Sequence, residues 1–310
     1  MTARSDVSSL ASAVGWRDYL ELCKPRVVAL IVFTAIIGML LAAPGQVPLL
    51  TFVAATLGIG LAAASAAAIN HVADHRIDAL MDRTRHRPLP EGHLSRARAL
   101  GFALVIGVAA MAILVQYVNV LTAVLTFATL IGYAVIYTLY LKRATPQNIV
   151  IGGAAGAAPP VLGWAAVTNT IDPHSLLLFL IIFAWTPPHF WSLAIYRRHE
   201  YAKADVPMLP VTHGVDYTRL QVLLYTIILI GCSLLPFATL LVGGIYLACV
   251  LPLDAIFLYY AIRLQRDQYD RFAKRTFAYS IIYLMGVFLA LFADRYQGVV
   301  FDLIAPLFPG

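Results

Sequence analysis

Apolar runs of membrane-crossing length recur along almost the whole chain, at roughly 27 to 44, 50 to 70, 97 to 117, 120 to 140, 148 to 168, 175 to 195, 218 to 241, 243 to 262 and 276 to 293. A helix of about 20 apolar residues spans a hydrocarbon core about 30 Å thick, so each run predicts one crossing. The expectation is an all-α integral membrane protein of about nine transmembrane helices, numbered here spans 1 to 9. Almost nothing polar separates the runs near Asn119 and Gly243, which predicts tight reversals there. A cleaved signal accounts for one run at most, and the first 26 residues carry Asp6, Asp18 and Glu21, where a transit peptide is poor in acids. Residues 1–26 are therefore expected to be an uncleaved cytoplasmic segment of a single transmembrane domain over residues 1–310.

The basic residues divide unevenly between the two sides. Every Lys and Arg except Arg295 lies in the N-terminal segment or in or beside the connections after spans 2, 4, 6 and 8, and such residues collect on the cytoplasmic side. The N-terminus is then inside and, after nine crossings, the C-terminus outside. Opposite connections such as Ala43-Pro44-Gly45-Gln46 are short and nearly uncharged, leaving no room for a soluble domain. The two larger polar segments, residues 71–96 and 196–217, share the cytoplasmic face and are expected to frame one site. Composition agrees with a membrane protein: 61% of residues are hydrophobic and 12% charged, against roughly 25% charged in soluble domains. The formal charge of +6 calls for no nucleic acid, because basic residues beside spans set topology and meet anionic lipid headgroups. Cys232 and Cys249 fall inside apolar runs, and three cysteines make neither a disulfide framework nor a metal site.

Candidate chemistry begins in the first cytoplasmic segment. Asn70, Asp74, Asp78 and Asp82 recur every fourth residue, so on a helix they stack on one gently drifting face, about 6 Å apart per step. The plain reading of charge at helical spacing is a solvated face held by local ion pairs. It fails here, because no Lys or Arg follows Asp74 or Asp78 by three or four residues. Their own i,i+4 pairings are like-charged, at a cost of about 0.2 to 0.5 kcal/mol each. A cation is expected to offset this. Hard oxygen ligands suit Mg²⁺, one or two ions, which keeps several waters and is shared between one or two carboxylates and substrate phosphates. Asn70, Asp74, Asp78 and Asp82 are the candidate metal ligands.

The Asn-x3-Asp-x3-Asp pattern at the cytoplasmic end of span 2 resembles the first signature of the UbiA-type intramembrane prenyltransferases. Lys24-Pro25-Arg26 is similar to the motif that superfamily carries before its first span, and the nine spans match its layout over almost the whole chain. Three further stretches are similar to its haem-modifying branch: residues 137–153, Ala155-Gly156-Ala157-Ala158-Pro159-Pro160 with Gly163-Trp164, and Thr186-Pro187-Pro188-His189-Phe190-Trp191-Ser192-Leu193. The resemblance implies a UbiA-like bundle with its active site at the cytoplasmic face of a bacterial inner membrane. It implies farnesyl diphosphate as donor and haem B as a substrate rather than a cofactor, with water capturing the cation formed at the haem vinyl group. A haem A synthase downstream is a further implied partner. The second polar segment, residues 196–210, departs from the superfamily's second aspartate-rich motif, since only Glu200 and Asp205 stand there. Glu200 is kept as a further metal ligand. A quinone- or chlorophyll-type polyprenyltransferase is the nearer alternative, distinguished by the acceptor consumed.

An allylic donor that loses diphosphate leaves negative charge on the departing oxygens, and cations must meet it. Mg²⁺ on Asp74 and Asp78 would act as Lewis acid, while Arg83, Lys142, Arg143 and Arg197 are the candidate diphosphate-binding donors. Asn70, Asp74, Asp78, Lys142 and Arg143 make the expected catalytic set. An alkene acceptor has no acidic proton, so no strong general base is demanded. Among eight histidines, His189 stands inside an apolar run after Pro187-Pro188, where an ionisable side chain is costly. It either contacts the haem or hydrogen-bonds a neighbouring helix or a carbonyl freed by the prolines. Arg87, in the run Arg83-Thr84-Arg85-His86-Arg87, is a candidate for haem propionates or diphosphate. A membrane transporter is the rival from another class, but it would hold its key charges near the midplane of paired repeats rather than at one face.

Overall fold

The computed structural model describes residues 14–298, the side chain of Arg143 excepted. Among the described residues nine helices are long and apolar enough to cross a membrane: Pro25–Ala42, Leu49–Asp78, Arg96–Tyr117, Val120–Leu141, Asn148–Thr168, Pro173–Tyr196, Val215–Ala238, Gly244–Gln265 and Ala273–Arg295. They coincide with the nine expected runs and keep the numbering of spans 1 to 9. Each tight reversal is capped by a side chain that accepts from the orphan amides of the next helix. Asn119 Oδ1 accepts from Thr122 N at 2.8 Å, and the Asp294 carboxylate accepts from Gly243 N at 2.5 Å and Tyr246 N at 3.0 Å.

Small residues set how closely the spans approach, because lipid tails are as apolar as the helices and close packing must hold them together. Span 2 is alanine-rich where it lies along span 3, and Ser65 Oγ donates across that contact to the Ala103 carbonyl at 2.8 Å. Spans 1 and 5 meet backbone to backbone. A Cβ on Gly38 would sit 2.3 Å from the Pro160 carbonyl oxygen, and one on Gly163 2.0 Å from that of Ala35.

Two departures from regular helix carry the site. Span 2 has 30 residues, about 45 Å at 1.5 Å per residue, so its end projects beyond a hydrocarbon core about 30 Å thick. Span 4 is α-helical over Val120–Ile131 and π-helical over Gly132–Leu141, a distortion frequent at functional sites. On the other side of the bundle, buried Asp254 of span 8 accepts from Tyr283 Oη at 2.7 Å and Ser233 Oγ at 2.8 Å, tying spans 7, 8 and 9. Tyr296 donates to the Leu40 carbonyl at 3.0 Å and returns the end of span 9 to span 1.

Gly163→Val drives a side chain into backbone, so it is expected to exceed the roughly 1 to 3 kcal/mol of ordinary overpacking. Gly231→Val, with no atom in the way, should leave the unfolding midpoint in detergent nearly unchanged. Equal midpoints for the two variants would contradict the span 1–span 5 contact.

Candidate active site

Asn70, Asp74 and Asp78 occupy successive turns at the end of span 2, and all three are buried. Two carboxylates stacked there face each other and also the negative end of the helix macrodipole. Cations from elsewhere in the chain offset both. Lys142 Nζ lies 2.6 Å from Asp74 Oδ2, Arg87 Nη1 lies 2.6 Å from Asp78 Oδ2, and Lys24 Nζ donates to Asn70 Oδ1 at 2.5 Å. Asn70 Nδ2 in turn donates to Asp74 Oδ2 at 2.7 Å. The local-pair test applied to the sequence missed this compensation because the partners are distant along the chain.

Asp82 does not share the face. The helix ends at Asp78, where Thr84 Oγ1 donates to the Asp78 carbonyl at 3.0 Å, and the chain turns back to deliver Arg87. Asp82 is left at the surface, its side chain 72% exposed and 3.7 Å from Arg85. The expectation that it shares one helix face with Asn70, Asp74 and Asp78 is corrected accordingly.

The π-helical stretch delivers the other wall. Thr138 Oγ1 donates to the Tyr133 carbonyl at 2.8 Å, and it accepts from Asn70 Nδ2 at 3.3 Å. Lys142 follows one turn later. Gly152 makes room for this wall, since a Cβ there would sit 2.2 Å from the ring of Tyr137. Asn148 Nδ2 donates to the carbonyls of Lys142 at 3.3 Å and Thr145 at 2.8 Å and fixes the turn. Arg143 belongs to the same turn, with its side chain outside the described residues. Lys24, on the opposite side, holds the left-handed φ of 49°, an uncommon conformation for a residue with a side chain. Burial first, and then Arg87, push its ammonium down to about 7 against the opposing pull of Asp74.

The second cytoplasmic segment contributes Arg197, whose Nη1 lies 2.5 Å from Glu200 Oε1, so this arginine is paired rather than free. Burial raises the Tyr201 hydroxyl, and the positive charges of Arg83 and then Arg197 oppose the rise. Asp270 anchors the segment, pairing Arg198 at 2.5 Å and Arg219 at 2.6 Å. His189 lies deeper in span 6. Its Nδ1 is 2.6 Å from Ser280 Oγ, and Ser280 spends its one hydroxyl proton on the Phe277 carbonyl at 2.6 Å. Nδ1 is therefore the donor, and Nε2 keeps its lone pair. The ring stacks on Trp185 at 4.2 Å and Phe277 at 4.6 Å. This hydrogen bond to a neighbouring helix is one of the two readings left open by the sequence.

Lys24, Thr138 and His71 have no assigned role in the sequence, yet all belong to the site. Only Lys24 carried a signal, as a basic residue immediately before span 1. His71 follows Asn70 and is buried with both ring nitrogens unpartnered among the described residues.

The donor set fits a shared metal. Among the described residues no three His, Cys, Asp or Glu side chains form a metal cage, and Mg²⁺ asks for none when phosphate oxygens and water complete its octahedron. Asp74 Oδ1 and Asp78 Oδ1 accept no hydrogen bond among the described residues, their other oxygens being the ones engaged. Glu200 Oε2 is buried and unpartnered among the same residues. The two aspartate oxygens are thus left open to a hard cation, and the Glu200 oxygen is a separate unpartnered acceptor in the second cytoplasmic segment.

Fold and site together define a multi-pass membrane enzyme with a carboxylate and cation cluster at one end of its helical bundle. Residues 31–292 match the UbiA prenyltransferase family. The chain is 63% identical over 286 residues to the protoheme IX farnesyltransferase of Methylococcus capsulatus, which covers 92% of this chain and 96% of that one. It also superposes on a structure from work on digeranylgeranylglyceryl phosphate synthase, with TM-score 0.77, 19% identity, and 91% and 98% of the two chains covered. A UbiA homologue from Archaeoglobus fulgidus bound to DMAPP and Mg²⁺ gives TM-score 0.63 at 18% identity, over 88% of this chain and 99% of that one. The chain belongs to the UbiA prenyltransferase family.

Lys142→Met strands the buried Asp74 charge and is expected to cost about 3 kcal/mol or more. Asp82→Asn, at an exposed pair, should stay within about 0.5 kcal/mol. Denaturant unfolding in detergent checks both, and equal losses would contradict the burial of one pair and the exposure of the other.

Proposed function

We propose that the chain catalyses haem O synthesis: it transfers the farnesyl group of farnesyl diphosphate to a vinyl group of haem B, adds water to form the hydroxyethylfarnesyl group, and releases diphosphate. The observation that carries this reading is the likeness to protoheme IX farnesyltransferase along nearly the full chain. The carboxylate and cation cluster supports the donor half of the reaction. The one-sided distribution of Lys and Arg supports a cytoplasmic site and N-terminus, and bacterial relatives support an inner-membrane location.

Asp74 and Asp78, with Asn70 beside them and Glu200 across the site, would hold Mg²⁺ together with the diphosphate. When bound, the metal supplies Lewis-acid neutralisation of charge growing on the leaving oxygens. The chain's own residues do the rest by exchanging partners. Lys142 and Arg87, which neutralise the carboxylates in the absence of substrate, turn to the diphosphate oxygens, and Lys24 turns from Asn70 in the same way. An anion bound beside Lys24 favours its charged form and raises its pKa. Arg83, Arg143 and Arg197 are further donors to the same group. Arg87, already beside Asp78, is assigned to diphosphate in preference to haem propionates.

His189 is assigned to the acceptor. Its Nδ1–H is held by Ser280, an arrangement that aims the Nε2 lone pair and is usual for imidazole bound to a metal such as haem iron. The stacked Trp185 and Phe277 rings supply apolar surface for a porphyrin.

Incubation with haem B and a series of prenyl diphosphates, with pyrophosphate release and mass analysis of the haem, tests the assignment. A product carrying farnesyl and one added water is expected, and an unmodified haem beside a consumed quinone precursor would contradict it. Asp74→Asn and Asp78→Asn should each lower turnover at least about 100-fold at saturating Mg²⁺, and near-normal turnover of either would remove the metal role. His189→Ala should shift the Soret band of bound haem and weaken its binding while donor affinity is unchanged. Ser280→Ala should move the same band less. An unaltered spectrum in His189→Ala would return that ring to a helix-packing role.

A further inference from the structure

A second polar feature lies on the opposite side of the span 2 helix from the carboxylates. A cavity of about 300 Å³ opens there, lined by His75, Arg76, Arg96, Thr138, Val72 and Leu139 among others, and no carboxylate lines it. Its volume is in the range of small-molecule sites. Arg76 comes from the last turns of span 2 and Arg96 is the first residue of span 3, so two arginines line one cavity at one end of the bundle. The imidazole in the same lining is oriented. His75 Nδ1 lies 3.1 Å from the Val72 carbonyl, which can only accept, so Nδ1 carries the proton. Nε2 is then the acceptor for Arg96 Nη2, and this hydrogen bond holds the guanidinium at the cavity with its other N–H groups unspent among the described residues.

The lining is mixed. Arg76, Arg96 and His75 supply polar groups and Val72 and Leu139 apolar ones, with Leu139 53% exposed and Ile136, one turn earlier in the same span, 52% exposed. An occupant with an anionic head and an apolar tail matches both. A basic pocket between transmembrane helices on one membrane face is the arrangement that recognises phospholipid head groups, and a fork of arginine donors suits phosphate oxygens. Positive-inside topology asks only that the charge be on this side, and it does not ask for two arginines lining one cavity with one of them held by an oriented imidazole.

We propose that this groove between spans 2, 3 and 4 binds a phosphate group at the membrane surface through Arg76 and Arg96, and that the phosphate belongs to an anionic phospholipid. Thr138 lines the groove on one side and hydrogen-bonds Asn70 on the other, so the bound lipid sits one side chain from the carboxylate cluster.

The test uses the full-length protein in phosphatidylcholine nanodiscs titrated with phosphatidylglycerol, with bound lipid counted by native mass spectrometry. Arg76→Gln/Arg96→Gln is compared with Arg263→Gln/Arg266→Gln, which removes the same charge from exposed arginines elsewhere on that side. Both arginines of the groove are exposed, and the unfolding temperature in lipid-free detergent checks that the variant is folded. Wild type and the control should retain phosphatidylglycerol, and the groove variant should bind it about 30-fold more weakly. Equal retention by the groove variant, or an equal loss in the control, would overturn the site. A third arm adds inorganic pyrophosphate in millimolar excess. Retention of the lipid supports the phospholipid, and displacement that depends on Arg76 and Arg96 would overturn it in favour of free phosphate.

Discussion

Two buried carboxylates, one helical turn apart at the C-terminal end of a membrane helix, are the constraint around which this protein is arranged. Their mutual repulsion and the helix macrodipole both oppose them, and burial strengthens every charge interaction at the site. The structure meets that cost with cations brought from three separate places. Span 2 runs on past the membrane to carry Asp74 and Asp78 clear of hydrocarbon, the π-helical turn of span 4 brings Lys142, the loop after Asp78 folds back with Arg87, and the chain bends into left-handed backbone to aim Lys24 at Asn70. Each of these irregularities has a charge to deliver.

The remainder of the bundle holds these elements in register. Backbone contact at Gly38 and Gly163 locks span 1 to span 5, which places Lys24 opposite span 2. Gly152 admits Tyr137 and so lets the π-helical stretch lie close against span 5. Away from the site two buried carboxylates are held by neutral donors: Asp254 takes hydroxyls from two other spans, and Asp294 caps span 8. Charge compensation by long cationic side chains is concentrated where substrate charge arrives. A cation that neutralises a carboxylate before substrate binds can neutralise diphosphate afterwards, provided that a metal takes its place on the carboxylate.

The nine spans were legible because length and apolarity alone determine which segments can cross a bilayer, and the run boundaries agree with the helices to within a few residues except at the end of span 2, expected near residue 70 and found at Asp78, where polar residues continue the helix. Asn70, Asp74 and Asp78 were legible for the same local reason, the period of the helix. Asp82 was not, because the helix stops at a hydrogen bond from Thr84 to the Asp78 carbonyl that no spacing rule contains. The cations were only half legible. Lys142 stood out as a basic residue at a span end and Arg87 as part of a basic run, but their partners lie 68 and 9 residues away, and Lys24 reaches a residue 46 positions distant. Local pairing arguments do not see such distances. The π-helical register, on which Thr138 and Lys142 depend, has no signature in the hydrophobic pattern, and the bond from His189 to Ser280 spans 91 residues. Family resemblance flagged Gly152-Gly153 and Gly163 as motif residues, and only the packing of Tyr137 and of the Ala35 backbone gives them a physical reason.

The partner exchange makes an unusual demand on one variant. If Asp74 holds Lys142 until substrate arrives, removing its charge frees that ammonium in advance. Equilibrium binding of a non-reactive farnesyl thiodiphosphate, measured with chelator present and no Mg²⁺, should therefore be tighter in Asp74→Asn than in the unaltered protein, even though the variant no longer turns over. Binding that is equal or weaker in the variant under those conditions would contradict the exchange.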